Sequence, residues 1–332
     1  MASRIAFKPS QRAPESTSLD AERSPKARLI GQVLDTLRFQ GWFFCISELR
    51  APWAFKLPGN RLAALHAVLE GECLVHLAGQ SDYARLGAGD IVLLPRDHVH
   101  VVADRPGRAA VPVEAVAAMD RRDRIATTFT HDGGGARTRL LTASFISNAA
   151  MAKAIVSAPP AMVVLRNGSA GSDRVAAILT LVRLEAVQPG GVSSAVLRRA
   201  AEILFVQALH RALMDVQADS GWLAAATDDR LTYALIAMHS QPEHRWTLAE
   251  LSKRAHLSRT AFFNRFQHHL GQTPGEYLQA WRLQLAAQRL KETRESVGDI
   301  ALTVGYESAS AFARAFKRAT GHSPNDFRSV GD

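Results

Sequence analysis

The sequence predicts a multi-domain α+β protein: an antiparallel β-barrel near the N-terminus, helices after it, and an all-α C-terminal domain made of two helix-turn-helix units. Three observations carry this prediction. Short apolar runs punctuated by Gly, Pro, Asn and Asp fill residues 29–118, long 3.6-period segments replace them from about Arg174, and one helical pattern occurs twice after Arg245. A length of 332 residues holds two or three domains at about 100 to 200 residues each.

Residues 1–28 are rich in Ser, Pro, Arg and Ala without apolar periodicity and read as a flexible tail. A first domain follows over 29–173. Its strands are expected at Trp42–Ile46, Leu62–Leu69, Cys73–Leu77, Ile91–Leu94 and Val99–Val102, the spacing of an antiparallel sandwich or barrel. Asp120–Gly135 is charged, ends in a glycine run and reads as a mobile loop, after which Arg139–Ile146 and Ala161–Leu165 return as strands. Residues 174–228 form a helical region. In its long helix, Ser193–Val216, the residues Leu197, Ala201, Leu204, Ala208 and Ala212 line one side, suited to packing on the barrel or to a dimer seam. The polar stretch Ser240-Gln241-Pro242-Glu243 then precedes the helical block of a last domain, 229–332.

Composition excludes several classes. With 47% hydrophobic and 21% charged residues, wholesale disorder is ruled out. Two cysteines, Cys45 and Cys73, build neither a disulfide framework nor a four-cysteine zinc site. Apolar stretches are broken well before the roughly 18 residues of a membrane span, and residues 1–28 hold no apolar signal core, so a soluble, cytoplasmic chain without a membrane partner is expected. The net charge is +9. It is concentrated: Arg245–Arg328 carries 13 Lys/Arg against 7 Asp/Glu and Met1–Arg28 carries 6 against 3, while the stretch between is nearly balanced at 21 against 20. Such a distribution points to a polyanionic partner of the C-terminal block.

That block contains the repeat. Thr247–Tyr277 and Ser296–Phe327 align, with Phe262, Phe266, Gly271, Pro274 and Tyr277 matching Phe312, Phe316, Gly321, Pro324 and Phe327 at an offset of 50. His256 matches Gly305 at an offset of 49, so the second copy has one extra residue in its turn. Thr247-x-x-Glu250 is a capping box and Ser296-x-x-Asp299 resembles one. Ser258 and Ser308 can cap the second helices, Gly271 and Gly321 can end them, and Thr273-Pro274 and Ser323-Pro324 supply the next cap. The helix-turn-helix units are thus placed at 247–267 and 296–317. In each second helix the two phenylalanines, four apart, mark the buried stripe. Thr260, Asn264 and Gln267, and Ser310, Arg314 and Lys317, lie off it, where groups able to bond base edges or phosphates belong. Pro274–Thr293 reads as a connecting helix about 30 Å long, close to the ~34 Å between successive major-groove faces on one side of duplex DNA.

These motifs resemble the C-terminal DNA-binding domain of AraC/XylS-type transcriptional regulators over about Asp229–Arg328, including Arg282 in the connecting helix and the stretch IALTVGYESASAFARAFKRATGHSPNDFR. The resemblance implies that Thr260, Phe263, Asn264, Ser310 and Arg314 enter the groove. Phe263 departs from the usual polar choice and suits shape or thymine methyls. The DNA-contacting candidates are Arg259, Thr260, Phe263, Asn264, Gln267, Ser308, Ser310, Arg314, Lys317 and Arg318, with Arg314 the base reader and Lys317 and Arg318 phosphate contacts. Double-stranded DNA is the expected partner, with RNA polymerase and a second copy of the chain as further ones.

His66–Gly79 and Leu86–His100 resemble the two halves of a cupin barrel, and with Trp53 they are similar to the cupin domain that serves such regulators as a ligand-binding module. By that resemblance a metal-binding cupin needs a Glu where this chain has Ala64 and a His-x-His pair absent from Lys56–Asn60, so no metal cofactor and no enzymatic activity are expected. His66, His98 and His100 share an inward parity and are the effector-binding candidates. They could hold a metal, which the missing ligands disfavour, meet an acidic effector, or be satisfied core or rim histidines. The leading function is a sequence-specific transcriptional regulator controlled by an effector, a small molecule or an oxidant, sensed in the barrel. The alternatives are a cupin metalloenzyme, an oxygenase or isomerase fused to a DNA-targeting module, and a nonspecific nucleic-acid binder.

Overall fold

A computed structural model describes residues 24–37, 41–59, 63–96, 98–116, 127–146, 155–169, 172–186, 194–216, 218 and 221–329. Most of the tail expected over 1–28 lies outside these residues, but its end does not. Ser24 caps helix α1 (Pro25–Leu34), its hydroxyl accepting from the Ala27 amide at 3.1 Å with Pro25 in the first turn. Leu29, Ile30 and Val33 of that helix are fully buried, which corrects the reading of residues 24–28 as a loose tail.

Eleven strands among the described residues are β1 (Gly41–Arg50), β2 (Ala54–Leu57), β3 (Ala63–Glu70), β4 (Glu72–Leu77), β5 (Ala84–Gly87), β6 (Ile91–Leu94), β7 (His100–Ala103), β8 (Val111–Pro112), β9 (Thr127–Asp132), β10 (Arg137–Ile146) and β11 (Val163–Leu165). They form a six-stranded sheet ordered β11-β6-β3-β10-β1-β9 and a five-stranded sheet ordered β5-β4-β7-β2-β8. The fold remains α+β and multi-domain, but the expected closed antiparallel barrel is an open two-sheet sandwich. Each sheet ends on a parallel pair, β1 with β9 and β2 with β8. Alternation within a strand fixes which side chains face inward. Closure depends on edge strands finding each other across long sequence separations, which no local pattern encodes. Part of the segment expected as a mobile loop, Asp120–Gly135, is strand β9; its residues 120–126 lie outside the described ones.

The six-stranded sheet is buried on both faces. Ala63, Leu65, Ala67 and Leu69 of β3 join a core with the helices, whereas Val68 faces Phe55, Val75 and Val102 of the opposing sheet. The helices are α2 (Val113–Val116), α3 (Ser172–Ala186), α4 (Ser194–Asp215), α5 (Gly221–Thr227), α6 (Leu231–Ser240), α7 (Leu248–Arg254), α8 (Arg259–Leu270), α9 (Pro274–Glu292), α10 (Val297–Thr303), α11 (Ala309–Thr320) and α12 (Pro324–Ser329). The expected buried side of α4 is observed: Leu197, Ala201, Leu204, Ala208 and Ala212 are all buried.

One apolar core runs from the outer face of the six-stranded sheet through α1, α4, α5 and α6 into α7, α8 and α9 as far as Trp281. A second, smaller core begins at Leu283 of α9 and takes in α10 and α11. The division of apolar packing therefore falls inside α9 rather than at 228/229. Polar ties reinforce α1 on this body: Lys26 Nζ donates to the carbonyls of Met214 and Val216 at 2.8 and 3.1 Å, and Gln284 of α9 donates to Thr36 Oγ1 at 3.0 Å. Among the described residues no helix is long and apolar enough to cross a membrane.

Candidate nucleic-acid interface

The two helix-turn-helix units are built by the same local chemistry. Thr247 and Glu250 complete a reciprocal capping box at the start of α7. The Thr247 amide and hydroxyl hold the Glu250 carboxylate below the usual range. Ser296 Oγ accepts from the Asp299 amide at 3.1 Å at the start of α10. The turns close alike. In the first, Leu257 N donates to Ser252 O (3.0 Å) with His256 in the left-handed region at φ 53°; in the second, Tyr306 N donates to Ala301 O (2.8 Å) with Gly305 at φ 88°. Ser258 and Ser308 cap α8 and α11 by accepting from the Ala261 and Ala311 amides, each at 3.2 Å. Left-handed Gly271 and Gly321 end those helices.

The recognition helices bury the expected stripes. Phe262, Phe266, Phe312 and Phe316 are all at 0% exposure. Arg259, Thr260, Asn264 and Gln267 on α8 are exposed, as are Ser308, Ser310, Arg314, Lys317 and Arg318 on α11. Phe263 is half-buried, so only part of its ring is presented. Ser308 is committed first to its cap and lies 3.2 Å from Ser310 Oγ. Arg314, Lys317 and Arg318 carry no ion pair among the described residues. Cations left unpaired on one face of α11, with Lys317 and Arg318 in its last turn, are suited to phosphates and guanine edges.

Contacts invisible in the sequence orient the first unit. Asp228, almost fully buried, accepts from the Arg230 and Leu231 amides at 2.9 Å and pairs with Arg265 Nε at 2.6 Å. Burial works against its charge, but these bonds outweigh it and hold the carboxyl below its ordinary range. Arg265 is thereby drawn away from the groove-facing set. Beneath α8, His239 stacks on Trp281 with ring centroids 3.8 Å apart, and its Nε2 lies 2.8 Å from Tyr277 Oη, which also accepts from Trp222 Nε1. Burial pushes the His239 pKa down to about 3. A signal was available for Asp228, which sits three residues before an apolar helical run as a cap does; nothing local marks Arg265 as its partner.

Inside the sandwich, His66 and His100 are brought together and His98 is not. His66 and His100 are each 1% exposed and their Nε2 atoms are 2.8 Å apart. His66 Nδ1 lies 2.9 Å from Thr142 Oγ1, and His100 Nδ1 lies 2.7 Å from the His98 carbonyl oxygen. A carbonyl only accepts, so His100 carries its proton on Nδ1 and accepts on Nε2. His66 then donates from Nε2 and accepts from the Thr142 hydroxyl, giving one directed chain with both rings neutral. Burial lowers both pKa values, and each ring's neighbouring imidazole, His100 beside His66 and His76 near His100, adds to the shift. The side chain of His98 is exposed, which corrects its inward placement: β7 begins at His100, and strand parity does not extend to a residue before the strand. Thr142, two strands from β6 in the same sheet, was missed by sequence reasoning. Its only local sign is a hydroxyl at an inward position of an otherwise apolar strand. Among the described residues no group of three or more His, Cys, Asp or Glu side chains is arranged to hold a metal.

Comparison with known proteins bears on both halves. A cupin family profile matches residues 29–215 and a helix-turn-helix domain profile matches residues 251–329. A putative AraC-like transcription regulator of Streptomyces lividans is 31% identical over 277 residues, covering 83% of this chain and 90% of that protein. The HTH-type transcriptional regulator AlkR of Acinetobacter baylyi is 27% identical over 307 residues, covering 90% and 98% respectively. A crystal structure of an AraC-type DNA-binding domain protein from Chromobacterium violaceum covers 32% of this chain and 96% of its own, at 25% identity and a TM-score of 0.31. Relatives matched along most of their length are regulators and not enzymes, and with the paired helix-turn-helix units described above they make this chain a member of the AraC family of DNA-binding transcriptional regulators, with a cupin-type domain at its N-terminal side.

Proposed function

We propose that one chain sets α8 and α11 into successive major grooves on one side of duplex DNA, and that a small-molecule effector received in the two-sheet domain controls this binding. The exposed, unpaired face of Arg314, Lys317 and Arg318 on α11, with exposed Asn264 and Gln267 on α8 at the places equivalent to Arg314 and Lys317 and exposed Arg259 and Thr260 at its start, is the observation that carries the reading. The connecting helix α9 has 19 residues, about 28 Å at 1.5 Å each, against a groove repeat of about 34 Å. Arg314 reads a base edge, while Lys317 and Arg318 hold phosphates.

In the sandwich, the neutral His66–His100 pair is the place where an acidic effector is received, because an incoming carboxylate favours the protonated imidazole that burial otherwise disfavours. A metal is disfavoured there, since two nitrogens supply fewer ligands than zinc or iron sites use. A homodimer forms through the outer side of α3 and α4, where Leu181, Leu184 and Ile203 are 44%, 58% and 48% exposed. RNA polymerase is the partner through which bound protein acts, in the cytoplasm.

Protection of genomic fragments, with and without candidate small acids, tests the reading. The expected result is a discrete protected site spanning two groove turns whose occupancy shifts with one of the acids. Protection without sequence preference, lost uniformly as salt rises, would show a nonspecific binder instead.

A further inference from the structure

The two recognition helices belong to different apolar cores. The first core ends on α9 at Trp281 and the second begins at Leu283. Arg282 is the residue between them, and it meets both units. Its Nε donates to the Pro242 carbonyl at 2.6 Å and its Nη2 to the His244 carbonyl at 2.9 Å, fastening the loop that leads into α7 to the connecting helix. The same guanidinium lies against the turn of the second unit. A Cβ added at Gly305 would stand 2.8 Å from Arg282 Cζ and 2.8 Å from the Glu243 Cα. Gly305 also has φ 88°, so both its backbone and the absence of a side chain let loop, connecting helix and second turn meet at one point. On the surface above, Arg245 Nη2 reaches Glu307 Oε1 at 2.6 Å, again joining the first unit's leading loop to the second unit's turn.

We propose that Arg282 is a positioning residue that sets the angle between the two helix-turn-helix units, and hence the half-site spacing the chain accepts. The inference rests on the two-groove reading given above. A helix alone resists bending but leaves the packing of each unit around it to the side chains at the junction. Here the fully buried parts of the two cores separate, half-buried Leu285 touches both, and a planar fork satisfying two carbonyls adds the polar tie between the units. Lysine offers one ammonium on a flexible stem and cannot hold both carbonyls in that plane.

The test compares full-length wild type, Arg282→Ala and Arg282→Lys on duplexes carrying the protected site, the same site with one base pair inserted between half-sites, and each half-site alone. Wild type is expected to lose at least about tenfold in affinity on insertion, since the second contact then no longer adds its effective concentration. Both variants should bind the native spacing about tenfold more weakly, lose less than about threefold on insertion, and match wild type on single half-sites. A variant that keeps the wild-type spacing profile, or loses half-site affinity in parallel, overturns the proposal. A wild type indifferent to spacing overturns the two-groove reading, and a DNA-free measurement then judges the clamp by itself. With spin labels at Gln267→Cys and Lys317→Cys, the distance distribution should broaden in Arg282→Ala at unchanged helix content, and an unchanged distribution refutes the role.

Discussion

The two helix-turn-helix units share caps, turns and phenylalanine stripes, yet they are held in place differently. Phe262 and Phe266 of the first are continuous with the core that includes α1, α4, α5, α6 and the six-stranded sheet; Phe312 and Phe316 of the second lie in a small core of their own. The first unit is part of the body, and a change in the sandwich can reach it through packed side chains. The second is outboard, joined by α9 and the junction at Arg282. Units alike in local structure can therefore differ in what reaches them, because allegiance to a core is decided by the surfaces each one meets.

The largest effect that could break this comparison is on folding. Phe266→Ala and Phe316→Ala should each cost about 3 to 5 kcal/mol. The first should lower the main thermal transition of the whole protein, whereas the second should split off an early transition confined to the second unit. A single shifted transition in both variants, by calorimetry, would show that the cores are not separate.

Next comes DNA reading by the outboard unit. Arg314→Ala should cost about 1 to 3 kcal/mol at one operator position and relax preference there, while Lys317→Ala weakens binding evenly across sequences and lowers the salt slope by about one. Even weakening by both variants in a binding titration across single-base operator changes would reduce Arg314 to a phosphate contact.

A histidine of α6 packed beneath the first unit gives a pH dependence that the second unit lacks, since no described histidine is buried there. The pKa of His239 is about 3 when folded against an ordinary 6.5, so the unfolded chain binds more protons between these values. Its contribution to stability is complete above about pH 6.5 and is lost as pH falls toward 3. At pH 5 the loss is about 2 kcal/mol, taking 1.4 kcal/mol per pH unit over the interval titrated. His239→Phe, which keeps the stack on Trp281, should remove this part of the acid sensitivity in urea unfolding at pH 5 and 7. Equal acid sensitivity in both proteins would refute it.

The smallest expected effect sharpens the comparison at the turns. His256 stands in the left-handed region where the second unit has glycine. His256→Gly should raise stability by up to about 1 kcal/mol, read as a higher midpoint of the main transition, because the strain of a side chain at positive φ is relieved. An unchanged or lower midpoint would mean that the histidine ring contributes more than its backbone strain costs.

Much of the DNA-binding half was legible in the sequence because its determinants are local. Caps three residues apart, stripes four apart and turns marked by His256 and Gly305 specify two helix-turn-helix units and which of their faces is wet. Seven strands of the first domain were legible for the same reason, since alternation over a few residues puts His66 and Val68 on one face and Leu65 and Ala67 on the other, whereas the short strands β2, β5 and β8 and the edge strand β9 were not. The rest depended on encounters between distant segments. That the sheets stay open, that α1 packs on the body, that His100 meets His66 and Thr142 while His98 turns outward, and that Arg265 is spent on Asp228 all follow from which surfaces come together. Periodicities that act within one or two turns were enough to specify the helices of both helix-turn-helix units, most of the strands, their buried faces and the basic C-terminal block. The tertiary structure alone decided which core each unit joins and that Arg282 stands where those cores part, since contacts between residues tens of positions apart leave no local period to read.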